Sequence, residues 1–189
     1  NMVGGMIDKF GSDQNKEAFL PDLCNMKKIF SYCLTEPGSG SDASALKTKA
    51  TRTNEGFILN GTKSFISGGA YSNAYLTMTR TGEDGPKGIS AIIIEDPSDG
   101  LSFGAFEDKM GWRAQPTAQV QFDDCRVPSD HLIGDEGCGF TYAMAGLDGG
   151  RLNIAASALG GAQFALESSL TYMNERKAFG KNLNQFQAL

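Results

Sequence analysis

The alternation of apolar and polar positions changes character twice along this chain. Up to Ser31, the apolar residues Phe19, Leu23, Met26, Ile29 and Phe30 recur at three- and four-residue steps. That spacing lines one face of a helix and predicts a weakly helical opening. Pro21 falls where a helix start is expected, since proline fits a first turn. From Tyr32 to about Gly139, short apolar runs alternate with turn signals instead. Gly56-Phe57-Ile58-Leu59-Asn60-Gly61 predicts a strand running into an Asn-Gly hairpin turn. Residues 74–80 predict another strand, and residues 89–95, rich in β-branched side chains, predict a buried one. Leu101-Ser102-Phe103-Gly104 and Ala118-Gln119-Val120-Gln121-Phe122 alternate apolar with polar. Asp84-Gly85-Pro86 and Pro97-Ser98-Asp99-Gly100 are turns between them. Several short strands at this spacing suggest a barrel or sandwich.

From about Phe140 the rhythm turns helical. Ile154, Ala158, Leu159, Ala162, Leu166, Leu170 and Met173 fall on one stripe. The stripe is narrow and alanine-rich, which suits close packing in a bundle. Arg176 and Lys177 complement a helix C-terminus, and Gly180 is placed to end the helix.

Composition narrows the function classes. A chain of 189 residues holds one large or two small domains and can bury a core. A formal charge of −5 argues against a general nucleic-acid surface. No run of about eighteen or more apolar residues predicts a membrane span. Cys24, Cys33, Cys125 and Cys138 are scattered without a Cys-x-x-Cys pair, and His131 is the one histidine. This pattern gives no zinc site, and no metal is expected. Free thiols in a reducing compartment are the default, with a disulfide left open. Residues 1–6 resemble neither a secretory signal nor an Arg-rich transit peptide.

The densest local signal is Tyr32-Cys33-Leu34-Thr35-Glu36-Pro37-Gly38-Ser39-Gly40-Ser41-Asp42. Glycines let a ligand approach the main chain closely, and Pro37 pre-sets a turn. Clustered N–H and hydroxyl donors suit an anionic or carbonyl-rich ligand. A plain surface loop between helix and strand has the same composition, so the residues alone leave both readings open.

The whole string resembles the signature loop of the acyl-CoA dehydrogenases. Leu59-Asn60-Gly61-Thr62-Lys63-Ser64-Phe65-Ile66-Ser67-Gly68 and Arg176-Lys177-Ala178-Phe179-Gly180 resemble two further blocks of that family at its spacing. Matching segments run through nearly the whole chain. Leu34 with Phe65-Ile66-Ser67, Gly111-Trp112 with Gln115-Pro116-Thr117, and Gly149-Gly150-Arg151 look like the branch acting on isobutyryl-CoA in valine breakdown. The resemblance implies an α+β fold, in which a central β-barrel or sandwich domain is flanked by parts of two helical domains. Residues 1–31 are then the end of an N-terminal helical domain. Residues 32–139 are the middle domain binding FAD and acyl-CoA, and residues 140–189 begin a C-terminal helical domain. The chain is expected to be an internal part of a longer protein.

Site roles follow from the resemblance. It sets Tyr32, Cys33, Leu34, Thr35, Glu36, Pro37, Gly38, Ser39, Gly40 and Ser41 against the flavin ring and neighbouring pyrophosphate of FAD. The Thr35 hydroxyl is implied near flavin N5. Phe65, Ile66 and Ser67 are implied to cover another part of the ring, with Phe65 where many relatives carry Trp. Ordinary core packing is the plain alternative for Phe65. Arg176 and Phe179 are implied to reach the adenosine diphosphate half of FAD in a neighbouring subunit, with Phe186 and Gln187 as a further contact. A guanidinium suits phosphate and an aromatic ring suits adenine.

Ser41 is also implied to touch the acyl-CoA thioester, and a turn or N-cap serine is its plain alternative. Asp148-Gly149-Gly150-Arg151 is implied to be a substrate-facing turn at a helix start. Arginine there opposes the helix dipole, a local conflict that suggests function. A surface Arg151 paired with Asp148 is the other reading. Some relatives carry the catalytic Glu where this chain has Gly150. The resemblance to the other branch, which includes the isobutyryl enzymes, implies a Glu far downstream, so no catalytic base is expected within the chain and the Glu is expected beyond Leu189. Glu36 is read as structural rather than as a base. The stretch from Lys109 to Thr117 is assigned to packing and loop shape, His131 to the surface, and Cys33 is not read as reactive.

The implied protein is a homotetramer in the mitochondrial matrix, oxidising a short branched acyl-CoA and passing electrons to electron-transferring flavoprotein. Two rivals remain at this point: an acyl-CoA oxidase-like flavoenzyme, and a non-catalytic fragment with a structural or partner-binding role.

Overall fold

Two short helices open the chain in the computed structural model, which describes residues 2–187. Helix α1 (Met2–Phe10) buries Val3, Gly4, Met6 and Ile7. Helix α2 (Asp13–Cys24) starts at a capping box. Ser12 Oγ accepts from Asn15 N at 3.1 Å, and Asn15 Oδ1 accepts from Ser12 N at 2.9 Å. Two orphan donors of the first turn are thereby satisfied. Pro21 lies inside α2 rather than at its start. The helical spacing expected to run on to Phe30 stops at Cys24. Met26 has φ 56°, Met26 and Ile29 are exposed, and Phe30 already belongs to a strand.

Eight strands follow: β1 (Phe30–Cys33), β2 (Lys49–Arg52), β3 (Gly56–Ser67), β4 (Ala74–Arg80), β5 (Ile89–Glu95), β6 (Leu101–Phe106), β7 (Thr117–Pro128) and β8 (Leu132–Ile133). Their order is β6-β7-β3-β2-β4-β5-β8, with β1 parallel along β4. The bounds of β4 and β5 coincide with those expected from the sequence. Both strands are buried on both faces, and alternation sends successive side chains to different cores. Ala74, Leu76, Met78, Ile89, Ala91 and Ile93 join a cluster with Val3, Ile7, Phe19 and Tyr142. Tyr75, Ile92 and Ile94 join Phe57, Leu59, Val120 and Phe122 on the other side.

The expected Asn60-Gly61 hairpin is absent, because β3 runs straight through it. The register against β7 shifts between Leu59–Cys125 and Gly61–Phe122, which leaves an extra residue on β7. Asp124 takes φ 48° there. Asn60 Nδ2 donates to Asp124 Oδ1, and Asp124 N donates to Asn60 Oδ1, both at 2.9 Å. Asn60 thus clamps a β-bulge instead of making a turn.

The described residues up to 147 form one compact unit and those from 148 onward a second. Helix α3 (Gly139–Glu175) begins in the first, where Phe10 stacks on Tyr142 at 4.3 Å between ring centroids. In the second unit the apolar stripe of α3 is exposed, including Ile154, Leu159, Leu166 and Leu170. A small hairpin follows, β9 (Lys177–Ala178) with β10 (Lys181–Asn182). Phe179 and Gly180 make its turn with φ 50° and 80°. Gly180 therefore closes a hairpin, not the helix, which stops at Glu175.

Gly61 gives a direct test of this packing. Its φ is +145°, and an added Cβ would lie 2.7 Å from Thr48 Cα. Gly61→Ala is expected to lower the unfolding free energy by about 1–3 kcal/mol, measured by denaturant titration.

Candidate functional site

A second bulge shapes the site. Between the pairs Lys63–Val120 and Ile66–Ala118, β3 carries one more residue than β7. Strand β6 does the same against β7 between Phe103 and Phe106. Phe65 sits at the β3 bulge with φ 58°, a conformation rare for an aromatic residue. The extra residue breaks the in–out alternation. Lys63, Ser64 and Ile66 are buried, whereas Phe65 is turned out and 65% exposed. Core packing, the plain alternative for Phe65, is thereby excluded within this chain.

Three links bring the loop after β1 against this bulge. Ser64 N donates to Thr35 O at 2.8 Å. Lys63 Nζ donates to Leu34 O at 3.0 Å and to Glu36 Oε1 at 2.7 Å. Glu36 also accepts from Lys47 N at 2.6 Å and Thr48 N at 2.9 Å. Both partners of this ion pair are buried, with no exposed Lys63 side-chain surface. Burial works against both charges. For Glu36 the Lys63 ammonium and the amide donors outweigh it, so the carboxyl is held below its usual range. For Lys63 burial is the larger effect, and its ammonium is held below the ordinary lysine value. The structural reading of Glu36 agrees with this environment: its carboxylate is fully engaged inside the protein. Lys63 carries no expected role from the sequence, where it stands between the polar residues Thr62 and Ser64 and nothing local marks it as buried.

Beyond Glu36 the chain folds into a tight turn. Glu36 and Ser39 exchange main-chain hydrogen bonds, and Pro37 and Gly38 form the exposed tip. Ser39 Oγ donates to Asp42 O at 2.6 Å and sets the path of Gly40 and Ser41, both exposed. A side chain built at Gly38 or Gly40 would meet no protein atom within 4 Å, so space over the loop is open. Among the described residues the hydroxyls of Thr35, Ser41 and Ser67 have no partner. The Tyr32 hydroxyl is enclosed and also unpartnered, and burial raises its pKa well above the ordinary value. Cys33 is fully buried in the second core, and burial pushes its thiol up to about 12. Leu34 is buried in the first apolar cluster and Ile66 in the second. Open main chain, unused hydroxyls and an out-turned aromatic fit a flat ring with donors and acceptors along its edge.

The remaining predicted residues lie in the second unit. Asp148, Gly149, Gly150 and Arg151 are in the body of α3, not in a turn at a helix start. The expected conflict between Arg151 and the helix dipole therefore does not arise. A long run of helix-compatible residues carries α3 through the glycine pair. Arg151 pairs with Asp148 at 3.2 Å on an exposed helix surface. Arg176 is exposed just after α3, and its carbonyl accepts from Leu183 N at 3.0 Å. Phe179 is 95% exposed at the hairpin turn, 6.2 Å from Phe186 between ring centroids. Lys181 Nζ lies 4.2 Å over the Phe186 ring, and Gln187 is exposed beside it. His131 is half-buried, with Nδ1 at 3.0 Å from Ile93 O and its ring edge-on to Phe19. The four cysteines are free.

Comparison with known proteins agrees with this arrangement. The profile of "Acyl-CoA dehydrogenase, middle domain" matches residues 31–125, and that of "Acyl-CoA dehydrogenase, C-terminal domain" matches residues 137–189. The chain belongs to the acyl-CoA dehydrogenase family and has its α+β fold. The mitochondrial isobutyryl-CoA dehydrogenase of Dictyostelium discoideum is 54% identical over 190 residues, covering 100% of this chain and 46% of that protein. The butyryl-CoA dehydrogenase of Megasphaera elsdenii matches with TM-score 0.94 and 41% identity, over 98% of this chain and 49% of that one. The FAD complex of PigA matches with TM-score 0.91 and 31% identity, over 97% and 48%. The chain spans about half the length of these relatives.

The ion pair has a signed pH signature. A carboxyl whose folded pKa is depressed contributes stability above its unfolded value of about 4.3, lost as pH falls through the folded value. Glu36→Gln is expected to cost about 3–5 kcal/mol at neutral pH, because it leaves Lys63 buried without its counter-charge. The gap between the two proteins should narrow as urea unfolding is repeated from about pH 6 towards pH 3.

Proposed function

We propose that this chain is the middle and first C-terminal part of an FAD-dependent acyl-CoA dehydrogenase acting on isobutyryl-CoA. The observation that carries this reading is the junction of the Leu34–Thr35–Glu36 loop with the Phe65 bulge. The 54% identity to a protein named isobutyryl-CoA dehydrogenase supports the branch. Bound FAD supplies the hydride acceptor, and the family's reaction removes a proton α and a hydride β to the thioester carbonyl. The residues from Tyr32 to Ser41 hold the flavin edge through main chain and hydroxyls, with Thr35 assigned to N5. Phe65 covers the ring and keeps water from it. Ser41 and the segment Asp148–Arg151 are assigned to the acyl-CoA. Arg176 and Phe179, with Phe186 and Gln187, are assigned to the dinucleotide arm in a neighbouring subunit.

Proton removal requires a positioned carboxylate within hydrogen-bond reach. Glu36 is committed to Lys63 and two amides, and Gly150 has no side chain. On the family resemblance, which implies a Glu far downstream of Gly150, the base is assigned to a part of the parent outside residues 1–189. The same reading includes domain boundaries near 31 and 139, a homotetramer, transfer of electrons to electron-transferring flavoprotein, and the mitochondrial location named for the Dictyostelium relative.

The intact parent tests this reading. Anaerobic addition of isobutyryl-CoA should bleach the flavin, with kcat/KM about tenfold or more above that for straight-chain butyryl-CoA. Dye reduction without peroxide release should accompany turnover. Peroxide release would indicate an oxidase, and a parent that takes up no FAD would overturn the flavin assignment. Thr35→Val, which removes one hydrogen bond, should lower the bleaching rate by about tenfold while the fold stays intact.

A further inference from the structure

The ion pair between Lys63 and Glu36 is an expensive way to fill a core. Taking two charges out of water costs several kcal/mol per ion, and well-packed apolar residues of similar volume are often as stable or more so. Apolar side chains, however, cannot grip main chain. Lys63 spans from β3 to the Leu34 carbonyl and the Glu36 carboxylate, and Glu36 spans onward to the amides of Lys47 and Thr48. Three chain segments are thus tied at one enclosed point. The next main-chain group on each side completes the junction, as Ser64 N reaches Thr35 O. Both carbonyls of Leu34 and Thr35 are consequently drawn inward to β3. The unpartnered Thr35 hydroxyl sits on that fixed stretch, and Phe65 is the next residue after Ser64.

We propose that Lys63 and Glu36 act as positioning residues for the cofactor: their buried pair sets the depth and register of the Leu34–Thr35–Glu36 main chain against the Phe65 bulge. This rests on the flavin reading above. It makes the pair a determinant of flavin affinity, separate from its part in folding. Neither side chain is assigned any contact with FAD or substrate, since both are enclosed by protein.

The test separates positioning from stability in the intact parent. Glu36→Met and Lys63→Met each leave one charge buried alone and should unfold or lose much of the thermal stability. The double variant E36M/K63M removes both charges at similar volume, and its thermal stability should return to near that of the wild type. Its FAD dissociation constant should nonetheless rise about tenfold or more. In the FAD-free protein the Ser64 amide should exchange its hydrogen faster than in wild type, because Thr35 O is no longer held. A double variant with wild-type FAD affinity and unchanged Ser64 exchange would overturn the proposal. If the double variant does not fold, E36Q/K63M also removes both charges, keeps an oxygen that accepts from the Lys47 and Thr48 amides, and cuts the link from β3 to the Leu34 carbonyl. Unchanged FAD affinity and Ser64 exchange in that folded variant would overturn the proposal equally. The exchange measurement needs no cofactor, so it distinguishes failure here from failure of the flavin assignment, which would show as a wild-type parent that takes up no FAD.

Discussion

A single enclosed charge pair governs the geometry of the first unit's candidate site. Lys63 and Glu36 lie 2.7 Å apart with almost no access to water. At that depth an unpaired charge is intolerable, so each fixes the other. Because each also holds main-chain groups, fixing the pair fixes the loop. Loops ordinarily supply function at the expense of definition. Here a loop is pinned to the buried Lys63–Ser64 stretch of β3, and its tip at Pro37-Gly38 is left open.

The sheet supplies the other half of the arrangement. Strands β4 and β5 are sandwiched between two apolar clusters. Strand β7 is matched against neighbours that both carry an extra residue opposite Ala118–Val120. Bulges of this kind re-aim side chains and increase local twist. One outcome is that Phe65 faces outward while Lys63, two positions earlier, faces the core. Strict alternation would have placed Phe65 and Lys63 on the same face. The left-handed conformation of Phe65 carries local strain that the surrounding ladder sustains, a pattern concentrated at binding sites.

How much of this was legible beforehand varies element by element. Strands β4 and β5 could be bounded from the sequence, because strands buried on both sides leave continuous apolar runs. The loop from Tyr32 to Asp42 stood out by composition, and its family resemblance gave it a meaning that composition left open. Asn60-Gly61 misled, since the same dipeptide serves a turn or a bulge and the partner strand decides between them. Met26 and Ile29 misled because helical spacing persists past Cys24 in a stretch that no longer forms a helix. The family resemblance implied a turn at Asp148–Arg151, yet the surrounding sequence sustains α3 across it. The Lys63 role was not legible at all, because nothing local marks a lysine as buried.

The sequence by itself determined the helix–sheet–helix succession, the bounds of β4 and β5 and the family, because these depend on residue order and on spacing along one strand or helix. Only the tertiary structure decided that Glu36 meets Lys63, that Asn60 clamps Asp124 and that Phe65 is turned outward. Those outcomes depend on register between segments far apart in the chain. A one-residue offset between paired strands exchanges buried for exposed, and no local pattern records which strand holds the extra residue.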